Sequence, residues 1–119
     1  MRILLYLFFF VTIICSNIAC DNSVSDEEEE CVPEFPDENV TYNNYVANVV
    51  SNNCTSCHRT GGEGPGDFTS YDGLVPYASH SSFEFRVLSD NADMPQDNPP
   101  LPKSTRDSLS IWINNCLPE

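Results

Sequence analysis

Five consecutive residues near the middle of the chain, Cys54-Thr55-Ser56-Cys57-His58, constrain its fold more than any other feature. The pattern C-x-x-C-H is typical of the covalent attachment of a c-type haem. On a helix, side chains three and four positions apart share a face, so both sulfurs and the imidazole can meet one cofactor. Cys54 and Cys57 are therefore predicted to be the thioether anchors, and His58 the iron ligand. Half of a zinc site and a disulfide redox pair are the alternative interpretations.

An amphipathic helix is predicted between Thr41 and His58, because apolar residues recur there at steps of three and four. These residues are Tyr42, Tyr45, Val46, Val49, Val50 and Cys54. The motif then ends a helix, whereas a thiol redox pair gains its low thiol pKa by starting one. The other candidate zinc ligands, His80, Cys31 and Cys116, form no second knuckle. Position and spacing thus favour haem.

Length and charge limit the remaining classes. The chain has 119 residues, a formal charge of −13 and only five Lys and Arg residues. Phosphate contacts need basic clusters, so the charge argues against nucleic-acid binding, and a partner with a basic patch is expected. One small domain is predicted, and six cysteines indicate an oxidising compartment or a cofactor.

The N-terminal segment has the features of a lipoprotein signal peptide, predicted over residues 1–19. A positive start precedes the apolar run Ile3 to Cys15, which is short for a membrane span. Cys20 follows Ala19 and is predicted to be lipidated, although Asn17 departs from the leucine usual at that place. Ordinary cleavage near Ala19 and an uncleaved anchor are the alternatives. Residues 20–39 are predicted to be an acidic linker, because five consecutive acidic residues repel one another and cannot pack.

Short elements are predicted after the motif. The glycine-rich stretch 59–66 is expected to form a loop at the haem edge, with the Pro65 carbonyl either bonded to His58 or Pro65 only stiffening the loop. Thr69 or Ser70 is expected to cap a helix that Gly73 and Pro76 keep brief. A further helical stretch over 81–89 carries Phe83, Phe85, Val87 and Leu88, either as haem wall or as core. Arg86 is expected to meet a haem propionate or to lie at the surface.

A closing helix is predicted after the irregular, proline-rich segment 90–102. Ser104 to Asp107 has the form of an S-x-x-D capping sequence. Leu109, Trp112, Ile113 and Cys116 then fall at i, i+3, i+4 and i+7, which predicts a buried stripe. This helix is expected to pack across the first one.

Together, the Cys54–His58 motif, the glycine-rich loop, Met94-Pro95 and the closing helix with Trp112-Ile113 resemble the small monohaem cytochrome c family, most closely domains of Bacteroidota lipoproteins. The resemblance implies an all-α fold of three to five helices over residues 40–119, wrapped around one covalent haem c. It implies His58 and Met94 as axial ligands and a non-enzymatic electron carrier that cycles between Fe(II) and Fe(III). A haem enzyme or sensor with an open iron site, and a metal- or disulfide-stabilised surface binding module, are the alternatives.

The resemblance also places the chain in the cell envelope, lipid-anchored to the outer membrane and facing the periplasm or the cell surface. The acidic linker is similar to the surface-export signals of such lipoproteins, or is a plain spacer. Two assignments stay open in the sequence. His80 competes with Met94 for the iron, although its polar surroundings indicate an exposed turn. Cys31 and Cys116 are predicted to form a disulfide, the alternative being two free thiols.

Overall fold

The chain is described by a computed structural model over residues 30–119. Three sequence predictions lie outside this range: the signal peptide, the lipidation of Cys20, and the first four residues of the acidic run, 26–29. Helix α1 has a π-helical start at Tyr42–Val46 and continues as Ala47–Asn53; α2 is Tyr71–Ala78; α3 is Ser81–Phe83 with a π-helical extension, Glu84–Leu88; α4 is Lys103–Asn114. Residues 30–119 contain helices and no strands, which confirms the all-α class. No helix in this part of the chain is long and apolar enough to cross a membrane.

Helix α1 begins where the sequence predicts and ends earlier. Thr41 caps its start: its hydroxyl accepts from the Asn44 amide at 3.2 Å, and the Asn44 side chain accepts from the Thr41 amide at 2.8 Å. The helix stops at Asn53, whose side-chain amide donates to the Val49 carbonyl at 2.7 Å. Such side-chain bonds compete with the helical ladder. The prediction that the helix runs through His58 is therefore wrong, and the motif forms a turn after it.

The start of α4 also differs from the prediction. The helix begins at Lys103 with Pro102 at its N-cap, and no side chain caps it. The Pro102 carbonyl accepts from the amides of Thr105 and Arg106 at 2.9 and 3.1 Å, so the first turn forms upstream of the predicted cap. Asp107 instead pairs with Lys103 at 2.7 Å. The Ser104 capping prediction is wrong.

The other helix predictions agree better with the structure. Ser70 caps α2 by accepting from the Gly73 amide at 3.2 Å, and Pro76 lies inside the helix, which continues to Ala78. Of the predicted stripe, Leu109 and Trp112 are buried, whereas Ile113 and Cys116 are half-buried and Cys116 lies beyond the end of the helix. Helix α4 contacts the start of α1 and the π-helical part of α3. The buried core consists of Val46, Val49, Val50, Phe68, Leu74, Ala78, Phe83, Leu101, Leu109 and Trp112.

The last part of the predicted linker is attached to the C-terminal end of α4. The sulfurs of Cys31 and Cys116 are joined at 2.02 Å, the pairing that the sequence predicted. The Asn115 side chain accepts from the Phe35 amide and donates to the Phe35 carbonyl, both at 2.7 Å, and the Glu34 amide donates to the Asn114 carbonyl at 3.1 Å. Residues 31–38 thus follow the surface of the helical part.

Candidate functional site

The Cys54–His58 segment is a tight turn built on one carbonyl group. The Cys54 carbonyl accepts from the amides of Cys57 at 3.1 Å and of His58 at 2.9 Å. Cys54 is half-buried and Cys57 is exposed, and neither sulfur is bonded to another cysteine of the described chain. The turn therefore offers two unpaired thiols and one imidazole within five residues.

The His58 imidazole is oriented by the carbonyl of Pro65. The distance from Nδ1 to this oxygen is 2.6 Å. A carbonyl can only accept, so the Nδ1–H must donate, and in the neutral ring the Nε2 lone pair is then left for a metal. Holding one ring nitrogen in this way is what metal-ligating histidines need. Of the two interpretations of Pro65, the structure shows the one in which its carbonyl bonds to His58.

The ring of His58 is also fixed by packing. It stacks on Phe68 with ring centroids 4.3 Å apart and planes 3° apart, and Phe68 in turn contacts Tyr77 of α2 at 5.1 Å. Its third boundary is the backbone at Gly64, where a Cβ would lie 2.8 Å from the His58 Nδ1 and Cε1 atoms. Only glycine leaves the imidazole in this position.

Asp67 closes the loop that carries these contacts. Its carboxylate accepts from the Thr60 amide at 2.9 Å, from the Thr69 amide at 3.0 Å and from both threonine hydroxyls. These hydrogen bonds, first that from the Thr60 side chain, hold the pKa of Asp67 well below its usual range. The sequence reasoning missed this residue. Its available signal was the Asp-x-Thr pattern typical of a local side-chain turn.

The thiol chemistry of the site differs from that of a redox pair. Burial raises the pKa of the Cys54 thiol to about 11. Cys54 also follows the carboxyl end of α1, where the helix dipole disfavours a thiolate. Reactive thiol pairs need a lowered pKa, so this environment is unfavourable for thiol–disulfide exchange. Among the residues from 30 onward, no group of three or more His, Cys, Asp or Glu side chains could hold a metal ion.

Met94 lies in a separate segment, after α3. Its side chain is half-buried, its amide donates to the Arg86 carbonyl at 3.0 Å, and the following Met94–Pro95 peptide bond is cis. The Arg86 side chain pairs with Asp93 at 3.0 Å. No hydrogen bond of the described chain joins this segment to the Cys54–His58 turn. Met94 as an iron ligand stays a prediction.

The remaining candidates differ in exposure. His80 is exposed at the N-cap of α3, as its polar surroundings indicated. Phe83 is buried in the core, whereas Phe85 is 66% exposed. Two cavities, of about 110 and 380 Å³, lie between α3 and α4, and neither is lined by residues of the motif.

Comparisons with protein-family models, with curated proteins and with solved structures found no match.

Proposed function

We propose that this chain is a monohaem c-type cytochrome, an electron carrier rather than an enzyme. Cys54 and Cys57 would hold the haem by thioether bonds, and His58 would bind its iron through Nε2. The bound haem would supply one-electron chemistry between Fe(II) and Fe(III). The protein's own residues fix the histidine ring and limit the motion of the loop around it.

The hydrogen bond between His58 Nδ1–H and the Pro65 carbonyl is the observation that carries this proposal. It selects the tautomer with a free Nε2 and fixes the plane of the ring, which lowers the entropy lost when a metal binds. The histidine is thereby oriented with Nε2 available to a ligand. The two unpaired thiols beside it complete the set of side chains that attach a c-type haem.

The test is the spectrum of the full chain made in a host with c-haem maturation. We expect an intense Soret band that stays with the protein after denaturation and organic extraction. The variant Cys54→Ala/Cys57→Ala should lose this covalent band, whereas Ser56→Ala, which changes an exposed residue between the anchors, should keep it. Colourless folded protein, or protein that binds zinc instead, would contradict the proposal.

Met94 is our proposed sixth ligand. Its segment contains four prolines, at 95, 99, 100 and 102, and its amide is bonded to α3, both of which reduce the freedom of a weakly binding thioether. A Met/His pair raises the reduction potential relative to two histidines. The variant Met94→Ala should lose the ferric sulfur-to-iron charge-transfer band, bind added imidazole readily and shift to lower potential. An unchanged spectrum with Met94→Ala, together with a changed one in His80→Ala, would move the assignment to His80.

The proposed partners are redox proteins with a basic docking patch, because the chain carries a formal charge of −13. Electrostatic steering raises the association rate at low salt and loses its effect as salt screens it. We also propose attachment to the outer membrane through a lipid on Cys20. Radiolabelled fatty acid should enter the wild-type chain in a lipoprotein-processing host and should not enter Cys20→Ser.

A further inference from the structure

Arg106 of α4 is bound to both ends of the segment that holds Met94. Its Nη1 donates to the carbonyls of Leu88 at 2.7 Å and Ser89 at 2.6 Å, and its Nη2 contacts the Asp90 carboxylate at 3.0 Å. Its Nε donates to the Leu101 carbonyl at 3.1 Å, at the far end of the segment. The Arg106 side chain is only 12% exposed, so its bonds to the three carbonyls are partly shielded from water, whereas the Asp90 side chain is 90% exposed.

The middle of the segment is held by Arg86, and more weakly. The Arg86 carbonyl accepts from the amides of Asp93 and Met94 at 3.1 and 3.0 Å. Its side-chain pair with Asp93 is 45% and 58% exposed, and exposed pairs contribute little. The guanidinium of Arg106, which donates to three carbonyls and is only 12% exposed, therefore restrains the loop more strongly than this surface pair does.

We propose that Arg106 is a positioning residue that keeps Met94 on the haem iron, an inference that rests on the proposed function. A thioether binds iron weakly. When the Met94–iron bond breaks, the loop gains conformational entropy, so a loop with less freedom keeps Met94 bound for a larger fraction of the time. Joining residues 88–90 to residue 101 through one planar group closes the loop at its base and reduces that freedom. A single ammonium group cannot reproduce the fork of donors that reaches these carbonyls.

The experiment uses the full chain, carrying covalent haem, with the variants Arg106→Lys and Arg106→Gln. The readouts are the ferric charge-transfer band, the reduction potential and the rate of imidazole binding to ferric protein. We expect covalent haem to be retained, imidazole to bind roughly ten- to a hundredfold faster, and the potential to fall. Asp90→Asn, which changes a side chain 90% exposed and keeps the three carbonyl contacts, should stay near wild type.

A matched control separates positioning from general loss of stability. The Tyr71 hydroxyl donates to the Leu117 carbonyl at 2.7 Å, away from the Met94 segment. Tyr71→Phe and the Arg106 variants are compared under conditions in which both have lost the same free energy of unfolding. If Tyr71→Phe then speeds imidazole binding as much as the Arg106 variants do, the positioning role is overturned. Unchanged rate and potential in the Arg106 variants overturn it too, while the cytochrome proposal stands. Wild-type protein without covalent haem overturns both.

Discussion

The segment that holds His58 and the segment that holds Met94 are fixed in different ways. Residues 54–69 bond mainly to one another: the Cys54 carbonyl, the Pro65 carbonyl and the Asp67 carboxylate accept bonds from inside the same stretch. Residues 89–102 instead receive their long-range bonds from Arg86 and Arg106, which lie on neighbouring helices. The first segment thus depends on close backbone packing, and the second on the docking of α3 and α4. Changes to one should leave the other intact.

Removing the disulfide should have the largest effect on stability and should leave both the His58 segment and the Met94 segment as they are. In Cys31→Ser/Cys116→Ser, opening a bridge that spans 85 residues should lower the free energy of unfolding by about 4 to 5 kcal/mol on the polymer model. Chemical denaturation monitored by circular dichroism measures it. The haem spectrum at low denaturant should match wild type, because neither ligand segment contains these cysteines. Two alkylated thiols at these positions in unreduced, unfolded wild type would refute the bridge.

Gly64→Ala should disturb only the His58 segment. The added methyl would meet the imidazole at 2.8 Å and displace it from Pro65, at a cost of about 1 to 3 kcal/mol. The absorption spectrum and the reduction potential should change, while the rate at which added imidazole replaces Met94 on the iron should not. Gly61→Ala is the matched control: its Cβ meets nothing within 4 Å, although its φ of +75° makes alanine strained there. A Gly61 variant that alters the haem as much as the Gly64 variant would contradict this account of the ring.

Asp67→Asn should have the smallest effect, and one that depends on pH. The pKa of Asp67 is lowered in the folded protein, so its contribution to stability is complete above the ordinary carboxyl pKa of about 4 and is lost as pH falls towards the folded value. Wild type should therefore exceed Asp67→Asn in stability at pH 7, with the difference shrinking below about pH 4. Thermal unfolding across this pH range, with the exposed Asp37→Asn as control, measures it. A difference that grows towards acid pH would contradict the role of the ionised Asp67 carboxylate in holding the loop.

The sequence predicted the elements better than their ends. The spacing of Val46, Val49 and Val50 predicted a buried face of α1, and all three are buried. The end of that helix at Asn53 depends on a side chain that competes for a carbonyl, which apolar periodicity does not report. The start of α4 was missed for a related reason, since Pro102 supplies a carbonyl without leaving a side-chain signature.

The site shows the same division. The sequence left the role of the Pro65 carbonyl open, because the length of a loop does not fix the direction in which a carbonyl points. The distance of 2.6 Å between this oxygen and His58 Nδ1 shows that the two are hydrogen-bonded. Arg106 was not singled out at all. Its partners are backbone carbonyls at residues 88, 89 and 101, and bonds to distant carbonyls depend on tertiary packing rather than on any residue type.

Mass spectrometry of the peptide that contains residues 54–58, from digested protein made with c-haem maturation, tests the central claim most directly. We predict that this peptide carries the mass of one haem and that neither Cys54 nor Cys57 is available to an alkylating reagent. Recovery of the same peptide without haem, with both thiols alkylated or joined to each other, would contradict it.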